Sequence, residues 1–76
     1  MHIGEHIEKE LRQQERSVTW LAKKLCCNRQ NVYDIFKRST IDTELLLRIS
    51  LILQKNFFLL YSNEYCDKMY SQTVQA

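Results

Sequence analysis

The chain contains a single glycine, Gly4, and no proline, and this scarcity limits the folds that its 76 residues can adopt. Tight β-hairpins depend on glycine in their turns, so an all-β fold is not expected. Helices joined by short polar loops need few such residues. Hydrophobic residues make up 45% of the chain and charged residues 26%, which is an ordinary globular balance. We therefore predict one small all-α domain.

Five segments carry apolar residues at the three- and four-residue spacing of an amphipathic helix. The first predicted helix lies within residues 1–15, the second covers 18–26 and the third covers 29–37. The last two begin after Asp42 and Asn56. These two residues, like Ser17 and Asn28 before the second and third helices, favour helix N-caps. Short loops between such helices predict a compact five-helix bundle.

The fourth and fifth segments are richer in apolar residues than one packing face requires. The stretch TELLLRISLILQ after Asp42 predicts a central helix that is buried on more than one side. From residue 69 onward the sequence is polar and lacks a sustained period. We therefore predict a domain over residues 1–68 and a flexible C-terminal tail over 69–76.

Positive charge is concentrated in the middle of the chain. Residues 17–40 contain five basic residues and one acidic residue, a local net charge of +4, whereas the remaining residues sum to −2. A basic segment in a small chain is compatible with a nucleic-acid interface. An ordinary solvated surface would have the same composition, so charge alone leaves both interpretations open.

Only about three residues, Cys26 to Asn28, separate the second and third predicted helices. A turn that short, with a capping residue inside it, directs the third helix away at a steep angle, which is a helix-turn-helix arrangement. On the third helix Val32, Ile35 and Phe36 share the apolar side. The opposite side is polar and is predicted to face outward.

The polar side of the third helix carries side chains suited to the major groove of DNA. Arginine can bond bidentately to guanine, and glutamine to adenine, while a carboxylate can accept from the cytosine amine. The predicted base contacts are Arg29, Gln30, Tyr33 and Asp34. Phosphate contacts position a protein without specifying sequence, and they are predicted for Thr19, Lys23, Asn28, Asn31, Lys37 and Arg38.

The stretches VTWLAKKLCCNRQNVYDIF and IDTELLLRISLIL resemble the Cro/repressor-type (XRE-like) helix-turn-helix family of bacterial and phage DNA-binding proteins. The resemblance covers roughly residues 7–57, with Ala22 at the family's small position where the second helix crosses the third. It implies a lambda-repressor-like bundle that binds double-stranded DNA, often as a dimer, in transcription regulation. The family often has glycine in the turn, where this chain has Cys26. A left-handed Cys26 would cost about 1 kcal/mol relative to glycine.

Phe57 to Tyr61 are consecutive apolar residues, and one helix cannot bury all five in its own core. Surplus apolar surface often marks a partner. We predict a homodimer interface formed by Phe57, Leu60, Tyr61 and Tyr65. The alternative is a protein-interaction module, such as an antitoxin or an adaptor, that retains the fold without reading DNA.

Other chemistry finds little support in the sequence. His2 and His6 are four residues apart but have no third metal ligand, and the three cysteines lack the spacing of a zinc site or a disulfide framework. No nucleophile is accompanied by a recognisable base, so no enzymatic activity and no cofactor are expected. Without a signal peptide or a stretch long enough to cross a membrane, the chain is predicted to be cytoplasmic with reduced thiols.

Overall fold

The computed structural model describes the backbone of residues 1–75 and the side chains of residues 1–70. Over that backbone the chain is all-α, as predicted, with no strand. The second and third helices each end one residue before their predicted ends. The helices are α1 (Ile3–Gln13), α2 (Val18–Leu25), α3 (Arg29–Phe36), α4 (Thr43–Leu53) and α5 (Phe58–Gln75).

Side-chain caps set the starts of the helices. Ser17, Asn28 and Asp42 each accept a hydrogen bond from a backbone N–H two or three residues further on, and Asn56 does the same at the start of α5. All four were predicted as caps. The cap of α1 was not predicted: the Nδ1 atom of His2 accepts a hydrogen bond from the backbone N–H of Glu5 at 3.2 Å. Histidine is not among the residues that favour this position, so this cap could not be expected from the residue type.

Helices α1 to α4 and Phe57, which precedes α5, form one hydrophobic core, and Phe58 and Leu60 of α5 are partly buried against it. α3 lies between α1 and α2, and α2 also packs on α4. Every helix from α1 to α4 supplies at least three side chains, which explains why four short helices can hold one another in place. The core residues are Ile3, Ile7, Leu11, Leu21, Ala22, Leu25, Val32, Ile35, Phe36, Leu46, Ile49, Leu53 and Phe57.

Gly4 allows the start of α1 to lie directly against the end of α3. A Cβ atom at this position would lie only 2.4 Å from the backbone oxygens of Ile35 and Phe36. The backbone N–H groups of Ile3 and Gly4 donate to the carbonyls of Ser39 and Arg38, at 3.3 and 3.0 Å. The only glycine of the chain is therefore required for packing rather than for a turn.

The C-terminal part differs in two respects from the sequence-based expectation. α4 is buried on one side only, because Leu47 and Leu51 are exposed to 45% and 69%. α5 continues without a break through residue 68, the predicted end of the domain, and its 18 residues lengthen the molecule to 48 Å along its long axis. The flexibility of residues 69–76 stays a prediction, and residue 76 lies outside the described residues.

In the part of the chain that the structure describes, no single helix is both long enough and apolar enough to cross a bilayer. α4 and α5, the latter counted as far as Tyr70, reach that length and hydropathy only when taken together, and the pair is bent by 119° at the break between them.

Candidate nucleic-acid interface

The connection between α2 and α3 is tightly fixed by backbone hydrogen bonds. Cys26 has a φ of 58° and a ψ of 43°, so the left-handed conformation that was considered for this residue is present. Its N–H donates to Lys23, and the N–H of Cys27 donates to Ala22 at 2.9 Å, which closes the C-terminus of α2. From α4, the Arg48 guanidinium donates to the Leu25 carbonyl at 3.3 Å. The direction in which α3 leaves α2 is thus set locally and also tied to α4.

α3 has one buried side and one exposed side. Val32, Ile35 and Phe36 are at most 7% exposed, and they pack into the core as predicted. Every polar residue predicted to contact DNA from this helix and its flanks is exposed. These residues are Asn28, Arg29, Gln30, Asn31, Tyr33, Asp34, Lys37 and Arg38.

At the centre of the exposed side, two predicted base contacts are bonded to each other. The Nε2 atom of Gln30 donates to Oδ1 of Asp34 at 3.1 Å, across one helical turn. Both side chains are exposed, so neither is held by the core. The pair presents an amide and a carboxylate side by side at the outer surface of α3.

One edge of the exposed side lies against α1 and is partly acidic. The ring of Tyr33 meets that of Phe36 edge to face, with centroids 6.2 Å apart. Tyr33 and Lys37 share a shallow depression with Glu5 and Glu8 of α1. Because carboxylates there would repel phosphates, this edge is a poor approach for a nucleic-acid backbone.

The opposite edge of α3 faces α4 and is basic. Asn31, Asp34 and Arg38 line a groove of about 330 Å³ together with Leu45 and Arg48. Two guanidinium groups therefore flank the groove against the single carboxylate of Asp34. Sequence reasoning missed Arg48, which lies ten residues beyond Arg38 in a helix that was expected to be wholly structural. The single basic residue of a largely apolar helix was the signal that could have found it.

Two exposed edges of α2 carry different chemistry. Thr19 and Lys23, the predicted phosphate contacts, are exposed. On the other edge Trp20 is half-buried, and its ring is covered by the Arg16 guanidinium at 4.6 Å and approached by the Lys24 ammonium at 5.9 Å. Trp20 therefore packs on its own neighbours beside the end of α4, which leaves Thr19 and Lys23 as the open polar positions of α2.

The four residues predicted for a dimer interface are separated by the fold. Phe57 is fully buried in the core, so a second copy cannot contact its side chain without opening the protein. Leu60 is half-buried against the same core, whereas Tyr61 and Tyr65 are exposed to 37% and 64%. The prediction for Phe57 is thus corrected: the chain direction just before α5 turns this ring inward.

Exposed apolar surface is nevertheless present, and α4 supplies part of it. Leu47, Leu51 and Phe58 line an open groove of about 510 Å³ between the outer side of α4 and the start of α5. Ser50 lies in the same groove, is 8% exposed, and its hydroxyl has no hydrogen-bond partner among the described residues. The groove therefore combines exposed apolar side chains with one buried hydroxyl.

Cys26 and Cys66 are exposed free thiols, while Cys27 is half-buried and packs against the core. Residues 1–70 contain no group of three or more His, Cys, Asp or Glu side chains placed to hold a metal ion. Comparison of the chain with protein-family models, with curated proteins and with solved structures found no match.

Proposed function

We propose that this chain is a sequence-specific double-stranded DNA-binding transcriptional regulator, in which α2, the turn and α3 act as a helix-turn-helix. In this proposal α3 lies in the major groove and α2 crosses the DNA backbone. The observation that carries the proposal is the two-sided character of α3. Its apolar side is buried in the core, and every polar side chain on its opposite side is exposed.

The roles within the interface follow from position and chemistry. Arg29 and Gln30 lie in the first turn of α3, the part of a recognition helix that reaches base edges. Lys23 and Arg38 carry charge that can neutralise phosphates on either side of α3. Arg48 joins this set, because it lines the basic groove beside Arg38 while it also holds the end of α2.

Binding to duplex DNA across a salt series tests the proposal. Each phosphate neutralised by a Lys or Arg side chain releases counterions, so the logarithm of the affinity should fall linearly with the logarithm of the salt concentration. The measurement is fluorescence anisotropy with duplexes of different sequence. An affinity that does not respond to salt, or no binding at low salt, would contradict the proposal.

Single substitutions separate base contacts from phosphate contacts. Arg29→Ala should relax sequence preference, with a loss of about 1–3 kcal/mol on the preferred duplex only, if Arg29 bonds bidentately to a guanine. Lys23→Ala should weaken all duplexes alike and reduce the salt slope by about one. Lys9→Ala is the matched control, since Lys9 is an exposed lysine of α1. If the control weakens binding as much as Lys23→Ala does, the surface of α2 and α3 is not the interface.

A homodimer is part of the proposal, and its interface is revised from the predicted one. The exposed residues Tyr61 and Tyr65 remain, and Leu47, Leu51 and Phe58 replace the buried Phe57. A dimer would place two copies of α3 on half-sites about one helical turn apart, and the interaction energies of the two copies would combine. A pseudo-palindromic site selected from random duplexes would support this arrangement.

The same apolar surface favours a second candidate function, a protein-interaction module that has kept the fold without reading DNA. In that case the groove of Leu47, Leu51 and Phe58 would seat a different protein. The two functions differ in their response to random duplexes. A folded chain that selects no duplex, and that copurifies with a partner which is lost on Leu51→Glu, would favour the interaction module.

A further inference from the structure

The hydrogen bond between Gln30 and Asp34 fixes which way the Gln30 amide points. A carboxylate has no proton to donate, so the amide nitrogen must face Asp34, and the observed Nε2 to Oδ1 distance is 3.1 Å. The two residues are four apart on α3, a spacing at which side chains of one helix face meet. The orientation of this amide therefore follows from the chemistry of its neighbour.

This orientation leaves a specific set of bonding groups free. An amide nitrogen has two protons, and one is used by Asp34, so Gln30 offers outward one N–H donor and its Oε1 acceptor. Adenine presents an acceptor, N7, beside a donor, N6, in the major groove, which is the complementary pair. Guanine presents two acceptors, N7 and O6, which would face the amide oxygen and the Asp34 carboxylate.

We propose that Asp34 is a positioning residue for Gln30, which makes the protein select adenine over guanine at the base pair that Gln30 reads. The inference rests on the proposed function, since it requires α3 to lie in the major groove. It replaces the direct contact of Asp34 with a cytosine by an action through Gln30. Without the carboxylate, both protons of the Gln30 amide become free, and a nitrogen with two protons can serve the two acceptors of guanine.

The test is selection of binding sites from a random duplex pool, with the full chain and four variants. Wild type should select adenine at one position of each half-site. Asp34→Ala should admit guanine at that same position, with the adenine-to-guanine ratio falling about tenfold, the scale of one good base contact. Asp34→Glu is the matched control, because it keeps an acceptor-only carboxylate within reach of Gln30 and should preserve the preference.

The double variant shows whether Asp34 acts through Gln30. Gln30→Ala should abolish the preference at that position, and adding Asp34→Ala should then change nothing further. If Asp34→Ala still alters a base preference in the Gln30→Ala background, Asp34 reads a base itself and the inference is wrong. Helix content by circular dichroism should be unchanged in all variants, because both side chains are exposed.

Failure of this inference differs from failure of the proposed function. If wild type selects no duplex, the DNA-binding proposal is wrong and the role of Asp34 is wrong with it. If wild type selects a site and Asp34→Ala selects the same site with the same base ratios, only the role of Asp34 is overturned.

Discussion

Gly4 and Cys26 show how much of the structure depends on single residues. Gly4 lies inside α1, where glycine is unfavourable by itself, yet a side chain at this position would meet the backbone at the end of α3. Cys26 ends α2 in a left-handed conformation that glycine adopts more easily. At both positions the local preference of the residue conflicts with its place in the fold.

Gly4→Ala should destabilise the protein although alanine is the better helix former. The added Cβ atom would lie 2.4 Å from two backbone oxygens, and backbone cannot rotate away as a flexible side chain can. Overpacking costs about 1–3 kcal/mol, and the two rigid backbone contacts place Gly4→Ala in the upper part of that range, above the gain of about 1 kcal/mol in helix propensity. Urea unfolding measures the difference, with the exposed substitution Lys9→Ala as the control for α1. A stabilised Gly4→Ala variant would contradict the close contact.

Cys26→Gly should instead raise the free energy of unfolding. Removing the left-handed penalty stabilises the folded chain by about 1 kcal/mol. The greater conformational freedom of glycine in the unfolded chain offsets part of this, so the expected net gain is about 0.5 kcal/mol. Cys66→Gly is the matched control, because Cys66 is an exposed cysteine within α5. There the same substitution should lower the stability or leave it unchanged. Equal effects at both cysteines would mean that Cys26 is not left-handed.

At the scale of elements, the short α2–turn–α3 unit depends on its caps. α3 has only eight residues, too few for a stable helix in isolation, so its first turn relies on the Oδ1 atom of Asn28 bonded to the Asn31 N–H at 2.9 Å. In addition to this local cap, the Arg48 guanidinium of α4 donates a hydrogen bond to the Leu25 carbonyl at the end of α2. Together they hold the exposed side of α3 at a fixed orientation.

Asn28→Ala should therefore lower the free energy of unfolding by about 1 kcal/mol, because the cap bond is lost. Asn28→Ser keeps a hydroxyl acceptor at the cap and should retain most of the stability. Chemical denaturation of both variants checks the stability. If alanine and serine are equally stable at this position, the cap does not stabilise α3.

At the scale of the whole molecule, two unlike surfaces occupy different elements. The basic and polar surface lies on α2, α3 and the neighbouring part of α4, while the exposed apolar surface lies on the outer side of α4 and on α5. α5, at about 1.5 Å per residue, spans about 27 Å and accounts for much of the long axis. In the proposed regulator one surface would bind DNA while the other joins two copies.

Leu51→Glu should convert the proposed dimer into a monomer without unfolding it. Leu51 is 69% exposed, so a charge there costs the single chain little but would be buried without a partner in the dimer. Sedimentation equilibrium measures the mass, and Gln13→Glu on α1 is the control for an added negative charge at an exposed position. A mass equal to twice that of the chain in the Leu51→Glu variant would show that this surface is not the interface.

Three local features could be predicted from the order of residues: the number of helices, the caps at Ser17, Asn28, Asp42 and Asn56, and the two sides of α3. Caps and helical periodicity depend on residues within one or two turns, so they can be read along the chain. Which apolar residues of the C-terminal half belong to the core depends instead on how the helices pack. Phe57 is buried and Leu51 is exposed because the direction of the neighbouring helices, rather than hydrophobicity, determines what covers them. The same holds for Gly4 and Arg48, whose roles depend on partners more than twenty residues away.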